Sequence, residues 1–559
     1  MSAPAGTEID RALSQPSLTA AFMTKAERDP QGVALRMFGS ADQLTWGEWQ
    51  ARSLAVAGAL HDLGVRPGDR VALLLGTRMD FHVLDLGALM VGAIPFSLYV
   101  TAAAVQMQEI LENAQPQVLI TEAAFAAKAR SLTGVAHVIV LEEDGEPSAP
   151  GFEDVAPAGP QDICTLVYTS GTTGPPKGVM FRHGAMMACL DSIRRRFPTT
   201  ERERAIAYLP MAHIAERIYG HYAAFLYGYE VTSLADPAAL GQALRAVRPT
   251  RFFGVPRIYE KQLAGLRVAL AGSEDRDALS AAWSARMKRV RAGEVGARPA
   301  DGQDAADWER LRPLAALTGL EQAHFLAVAG APSSRDMLEE LTALGLPINE
   351  FYGSSETIII TTSPPERTRL GTAGTALCGV ELTLADDGEI LVAGPTVTPG
   401  YFRDRKRTAE AFDRDGRFLT GDIGELDQDG YLRIVDRKKA LIINSAGKNM
   451  SPANIEQAIK GGVPLIAQVV AVGDRRPFNV ALIVLDRDVA AGVPDVQAAI
   501  AEAVAHGNER LSRPEQIKRY RILQEDWPLG GDELTPTAKL RRREIEVKYA
   551  EMIDALYGT

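Results

Sequence analysis

Cysteine is scarce, with 3 residues in 559, and Cys164, Cys189 and Cys378 lie far apart with no CxxC or mixed His/Cys spacing. That excludes a disulfide framework and a Cys/His zinc site, and it fits a reducing, cytoplasmic setting. Net positive charge is also lacking: 60 Lys and Arg stand against 71 Asp and Glu, for a formal charge of −11. A duplex-binding surface must be net basic to displace counterions, so nucleic acid is not expected as a partner, whereas small anions at local basic sites remain allowed. A membrane helix needs about 20 uninterrupted apolar residues. The longest apolar region, 86–105, is broken by Pro95, Ser97 and Thr101, so no integral membrane segment is expected; it reads as a buried helix running into a strand. The N-terminus has no basic start followed by an apolar run, so no secretory signal is expected either. Peripheral membrane contact and the oligomeric state stay open.

What is present is a globular composition, 46% hydrophobic and 23% charged, in a chain of 559 residues. Single cores stop growing near ~250–300 residues, so more than one domain is expected. Residues 45–63 read as a helix, with a capping-box pattern at Thr45 and Glu48 and Gly64 at the left-handed terminal position. Apolar runs at 70–75, 117–121, 137–141, 165–169, 205–209 and 252–255 alternate with helix-length segments, the rhythm of parallel strands in an α/β protein. A helical insertion is expected at about 265–320, where Ala, Arg and Asp surround Trp283 and Trp308. Beyond residue 330 the strands shorten, and turn signals at Asp386–Gly388, Asp413–Gly416 and Asp427–Gly430 predict an antiparallel, β-rich part at about 360–436. A boundary is read at Asp436-Arg-Lys-Lys439, followed by a strand, a helix opened by Ser451-Pro452, and strands at QVVAV and NVALIVL. The expected fold is therefore α/β. It has a large N-terminal domain, 1–436, of mixed and parallel sheets with helices plus the β-rich subdomain, and a small mobile C-terminal α+β domain, 437–559.

The stretch from Tyr168 to Gly178, YTSGTTGPPKG, gathers hydroxyls at Thr169, Ser170, Thr172 and Thr173 and glycines at Gly171 and Gly174 around Lys177. It is not a kinase-type P-loop. Such a loop needs G-x-x-x-x-G-K-[ST], whereas here Pro175-Pro176 removes two backbone donors before Lys177 and Gly178 stands where the magnesium-binding hydroxyl belongs. Hydroxyl donors and flexible glycines after a buried strand can still grip a polyphosphate.

This loop resembles the phosphate-binding signature of the AMP-forming adenylating superfamily, which includes acyl-CoA synthetases, luciferases and peptide-synthetase adenylation domains. Further segments similar to that superfamily's signatures follow in its order: Gly330-Ala331-Pro332, Phe351-Tyr-Gly-Ser-Ser-Glu-Thr357, Leu419-Thr-Gly-Asp422, Asp436-Arg-Lys-Lys439 and Leu534-Thr-Pro-Thr-Ala-Lys-Leu540. The segments LPMAHIAER (209–217) and IINSAGKNMSP (442–452), with the helical insertion, look like the long-chain fatty acyl-CoA synthetase branch.

The resemblance implies an ATP-dependent ligase with magnesium and coenzyme A. A carboxylic acid attacks the ATP α-phosphate to give an acyl-adenylate, and a thiol then takes the acyl group. By resemblance, Lys539 is the catalytic cation and Glu356 the magnesium-holding acid. Thr169, Ser170, Gly171, Thr172, Thr173, Gly174 and Lys177 grip the β- and γ-phosphates. Gly330, Ala331 and Pro332 form the adenine turn, Tyr352 stacks on the base, and Gly353 and Ser355 complete that element. Asp422 and Arg437 meet the ribose, His213 and Gly353 border the acyl group, Lys439 is the hinge, and Ser445, Ala446 and Gly447 line the thiol path.

Several positions depart from the branch pattern: Ser354 and Ser355 replace a Leu-Thr-like pair, Ala440 follows the hinge, no tryptophan precedes Phe418, and alanine stands at 393 and 538. None removes a catalytic group, but they leave the acid open. The alternatives are a specialised-metabolism enzyme activating an aromatic or unusual acid, one using a nucleophile other than CoA, and a non-catalytic nucleotide-binding protein.

Overall fold

The computed structural model describes residues 7–169, 175–200, 203–293, 302–444, 449–461, 463–528, 530–535 and 539–558. A six-stranded sheet runs in the order His137–Val140, Val118–Thr121, Arg70–Leu74, Ile94–Ser97, Ile163–Thr169, Lys177–Arg182. Its first five strands are parallel and the last is antiparallel. Parallel strands covered on both faces read as continuous apolar runs, which is why Val71 to Leu74 are all buried. The 86–105 region divides as the sequence indicates, into the helix Met79–Met90 and the strand Ile94–Ser97. The helix Trp46–Asp62 opens on the Thr45/Glu48 capping box, and Gly64 adopts φ +86° just beyond it. Its Trp46 and Trp49 cluster with Phe22 and Phe225, with ring centroids 4.9–5.9 Å apart.

The antiparallel pairing of Ile163–Thr169 with Lys177–Arg182 places Thr169 directly opposite Lys177. The two ends of the hydroxyl-rich loop are thereby held one strand spacing apart.

A second sheet has parallel strands Arg251–Gly254, Phe325–Val328 and Ile348–Ser354, then antiparallel Ile358–Thr362 and Thr375–Ala376. The chain reverses after Ser354, and the reversal is tight: a Cβ on Gly353 would lie 1.6 Å from the Ile358 carbonyl oxygen. Only glycine fits there. Helices Pro256–Ala271, Arg276–Arg291 and Gly302–Ala316 intervene between the first two of these strands. This helical stretch starts earlier than residue 265 because Pro256, at the first helical position, launches a helix directly from the preceding strand. Four short strands, Gln43–Thr45, Val33–Met37, Glu230–Ser233 and Arg204–Ala207, form another sheet.

Strands Glu381–Leu384, Glu389–Ala393, Phe418–Leu426 and Leu432–Arg437 form an antiparallel sheet turned at Gly388 and Gly430, with φ of +82° and +80°. Beyond it, strands Ile466–Val472, Asn479–Leu485 and Ile517–Leu523 carry the helices Pro452–Lys460, Val496–Glu509 and Ala550–Tyr557. The Ser451 hydroxyl caps the helix Pro452–Lys460 and donates 2.5 Å to Asp436. This C-terminal part meets the helical stretch through Lys460–Glu260 at 3.3 Å and Arg257–Asp486, and meets the helix Arg335–Ala343 through Arg510–Asp336 at 2.7 Å. Among the described residues no helix is long and apolar enough to cross a membrane.

One buried polar network ties three of these regions together. Asp85, on the helix Met79–Met90, receives the Arg217 guanidinium, His221 Nε2 at 3.0 Å and the Tyr222 hydroxyl at 3.3 Å. Arg217 also donates 3.0 Å to Ser97, and His82 joins His221 at 2.9 Å and Ser233 at 3.2 Å. Burial pushes the Asp85 carboxyl up, but Arg217 and His221 outweigh it and hold it below the ordinary carboxylate value. Burial likewise depresses the pKa values of His82 and His221, which Asp85 partly offsets. Arg217 and His221 lie on a π-helical stretch, Arg217–Tyr222, directly after the HIAE segment that contains His213. The network therefore anchors the stretch that follows that segment. Removing one partner of a buried pair leaves the other charge stranded, so Asp85→Ala is expected to cost about 3–5 kcal/mol. Denaturant unfolding checks this, with Asp85→Asn losing less.

Candidate active site

Asp422 lies on the strand Phe418–Leu426, 5% exposed, with its backbone N–H on Thr420 Oγ1 at 3.1 Å. Its carboxylate receives the Tyr352 hydroxyl at 2.8 Å and Arg437 Nε at 2.8 Å. The hairpin sets Arg437 opposite it, and the five-stranded sheet delivers Tyr352 at the end of a parallel strand. Burial raises the Asp422 pKa; Arg437, Tyr352 and Lys539 offset part of that rise.

The Lys539 charge reaches Asp422, Glu356 and Arg437 from the C-terminal part. Thr535 N–H donates to the Lys539 carbonyl at 2.9 Å, Lys539 N–H returns to Thr535 Oγ1 at 3.0 Å, and Leu534 bridges Leu540. These bonds fix the Lys539 backbone against Thr535. The side chain keeps solvent access, yet the protein walls around it lower its pKa, the Arg437 charge lowers it further, and Asp422 and Glu356 pull it back up. His213 is near enough to feel it: burial first, then the Lys539 charge, push the imidazole down to about 4. His213 Nδ1 accepts the Ala215 N–H at 3.2 Å, so the neutral ring carries its proton on Nε2.

Glu356 closes the other side. Its backbone N–H donates 3.1 Å to Ser354 Oγ, Thr398 N–H donates 2.7 Å to its carbonyl, and its carboxylate accepts the Tyr401 hydroxyl at 3.0 Å. The Lys177 ammonium stands 5.0 Å above the Tyr401 ring.

The structure thus brings together Tyr352, Asp422, Arg437, Lys539, Glu356 and His213, with Lys177 linked through Tyr401. Thr169 ends its strand half-buried opposite Lys177. Gly353 and Ser355 lie half-buried at the reversal beside Glu356, and Gly330, Ala331 and Pro332 form an exposed loop after the strand Phe325–Val328, with Gly330 at φ +89°. Lys439 is exposed just past the strand Leu432–Arg437. Ser170, Gly171, Thr172, Thr173 and Gly174 lie outside the described residues, as do Ser445, Ala446 and Gly447. Tyr401 escaped the sequence reading. Its only local signal is the Thr-Pro-Gly lead at 398–400, and its two partners are remote in the chain.

With this geometry in place, comparison with known families is decisive. The model described as "AMP-binding enzyme" matches residues 22–402, and that of the "AMP-binding enzyme C-terminal domain" matches 439–559. The chain belongs to the AMP-binding enzyme family. Among related AMP-binding enzymes, the long-chain-fatty-acid–CoA ligase FadD15 of Mycobacterium bovis is 34% identical over 589 aligned residues, covering 96% of this chain and 97% of that one. The putative fatty-acid–CoA ligase fadD11 of Mycobacterium tuberculosis is 43% identical over 425, covering 72% and 74%. The fold matches the solved O-succinylbenzoate coenzyme A synthetase (MenE) of Bacillus subtilis in complex with AMP. The TM-score is 0.73 at 23% identity, covering 95% of this chain and 98% of that one.

In this AMP-binding enzyme the Lys539 ammonium is expected to titrate below the ordinary lysine value of 10.5. Competitive acylation of lysines across an alkaline pH series measures it. Asp422→Asn removes a charge that supports the protonated form, so the Lys539 pKa is expected to fall further.

Proposed function

We propose that this chain is an ATP-dependent, AMP-forming ligase that activates a long-chain fatty acid and transfers it to coenzyme A in the cytoplasm. The observation that carries this reading is the meeting of Lys539 with Asp422, Glu356 and His213 in one cleft, in a chain similar along its length to long-chain-fatty-acid–CoA ligases.

A carboxylate is a poor acyl donor because its leaving group would be oxide. Attack of its oxygen on the ATP α-phosphate, with pyrophosphate departing, yields an acyl-adenylate. The thiol sulfur then attacks the acyl carbonyl and AMP departs. In the first step two anions must meet, so positioning and charge neutralisation dominate. Lys539 supplies the positive charge. A preorganised donor of this kind is worth about 3–4 kcal/mol in a transition state. Asp422 and Arg437 hold the ribose, Tyr352 lies against the base beside Gly330, Ala331 and Pro332, and Gly353 and Ser355 complete that wall. No general base is needed because the acid is already ionised. Neutral His213 is suited to border the acyl group rather than to carry a proton, and Gly353 is assigned to the same border.

Thr169, Ser170, Gly171, Thr172, Thr173, Gly174 and Lys177 are assigned to the β- and γ-phosphates. Magnesium is hard, retains several waters and binds through one or two carboxylates plus substrate phosphates. The single carboxylate of Glu356, beside Lys177 on the phosphate side, fits that donor set. When bound, the ion would neutralise phosphate charge. For the thiol step the small domain, 437–559, turns about Lys439 so that Ser445, Ala446 and Gly447 face the pantetheine path.

Lys539→Ala is expected to lower acid-dependent ATP–pyrophosphate exchange by a factor on the order of 10²–10³, while a supplied acyl-adenylate and CoA still give thioester. Equal loss of both half-reactions contradicts the assignment.

A further inference from the structure

Glu356 and Lys177 reach the nucleotide cleft from unrelated segments, one from the reversal after the strand Ile348–Ser354 and one from the first position of the strand Lys177–Arg182. What joins them is a single phenol. We propose that Tyr401 is the positioning residue for the polyphosphate end of the site, setting the Glu356 carboxylate through its hydroxyl and the Lys177 ammonium through its ring face. The inference rests on the nucleotide-binding reading above.

The Tyr401 hydroxyl donates to Glu356 Oε1 at 3.0 Å, and the Lys177 ammonium stands 5.0 Å from the ring centroid, within cation–π reach. Among the described residues no ion pair joins Lys177 to Glu356 directly. A flexible cation and an anion left to themselves would pair with each other or turn to water. The phenol gives each a different partner, the anion at its edge and the cation over its face. Both charges are then presented to a ligand instead of cancelling.

Tyr401 can set others because it is itself fixed. It is 6% exposed, its backbone N–H donates 2.9 Å to Thr408 Oγ1, and it bridges Val179 on the strand that Lys177 begins. Its neighbours are stitched to the same strand: Phe402 N–H donates to the Gly178 carbonyl at 2.7 Å, Met180 N–H to Gly400 at 3.2 Å, and Thr398 Oγ1 to Met180 at 2.8 Å. Thr398 N–H also holds the Glu356 carbonyl at 2.7 Å. Gly400 enters this brace at φ +135°, where a Cβ would lie 2.4 Å from Thr408 Cγ2. The segment 398–402 is therefore a rigid strut between the phosphate-loop strand and the Glu356 reversal.

AMP lacks the β- and γ-phosphates, so its binding should not depend on this strut. The test is calorimetric titration of full-length wild type, Tyr401→Phe and Tyr401→Leu with α,β-methylene-ATP plus Mg²⁺ and, separately, with AMP. Losing one hydrogen bond to a charged group corresponds to about tenfold. Tyr401→Phe, which keeps the ring, is expected to bind the triphosphate analogue about tenfold more weakly and to need more Mg²⁺ for half-maximal binding. AMP affinity should stay within about twofold, and Tyr401→Leu should lose more of the analogue affinity, since cation–π contact goes as well. An unchanged analogue affinity overturns the proposal, and so does an equal loss for AMP and the analogue, which marks a purely structural role. A wild type that binds AMP but gives no acid-dependent pyrophosphate exchange contradicts the proposed reaction while leaving the Tyr401 result standing. A wild type that binds neither nucleotide overturns both.

Discussion

Asp422 is 5% exposed, and a carboxylate so far from water is tolerated only where donors and opposite charge meet it. Three regions supply them: Tyr352 from the end of a parallel strand, Arg437 from the facing strand of a hairpin, and the Lys539 charge from the C-terminal part. The demand is mutual, because Lys539 is itself disfavoured by its surroundings and by Arg437 and is supported by Asp422 and Glu356. Two carboxylates and two cations therefore share one cleft in near balance. A bound phosphoryl group would shift that balance, and a cation held ready beside it acts without reorganisation cost.

The rest of the molecule keeps those charges in register. The hairpin from Ile163–Thr169 to Lys177–Arg182 fixes both ends of the hydroxyl-rich loop. The Gly353 reversal fixes Tyr352 and Glu356, since no side chain can enter it. Directly after the segment carrying His213, the Asp85–Arg217–His221 network holds a π-helical stretch that would otherwise be costly to maintain. Contacts with the C-terminal part include the buried Ser451–Asp436 hydrogen bond, the part-buried pair Lys460–Glu260 and the more exposed pair Arg510–Asp336. An exposed pair such as Arg510–Asp336 contributes little stability by itself.

Features that depend on near neighbours were legible in the sequence. Thr45 with Glu48 caps a helix, Ser451 with Pro452 opens another, and Asp-Gly turns at 388 and 430 close hairpins, because each of these is local chemistry. The loop at 168–178 could be separated from a P-loop by its prolines for the same reason. The order of strands in the six-stranded sheet could not be read, since pairing of residues far apart leaves no periodic mark. Nor could the Asp85 network, whose members are 136 residues apart at Asp85 and His221. Tyr401 was missed because its meaning lies in Glu356, 45 residues earlier, and in Lys177. Family resemblance pointed to Asp422, Arg437 and Lys539 individually; that Tyr352 donates its hydroxyl to Asp422 appears only when the strands are placed.

The central claim is that this cleft directs the acid oxygen to the α-phosphate of ATP, so that AMP leaves only after carrying the acyl group. Turnover of a long-chain fatty acid labelled with ¹⁸O in both carboxyl oxygens, with ATP and coenzyme A, tests it directly by mass spectrometry of the products. The account predicts one ¹⁸O in AMP, none in pyrophosphate, and a thioester retaining the other. Release of ADP, or label in orthophosphate, would contradict it.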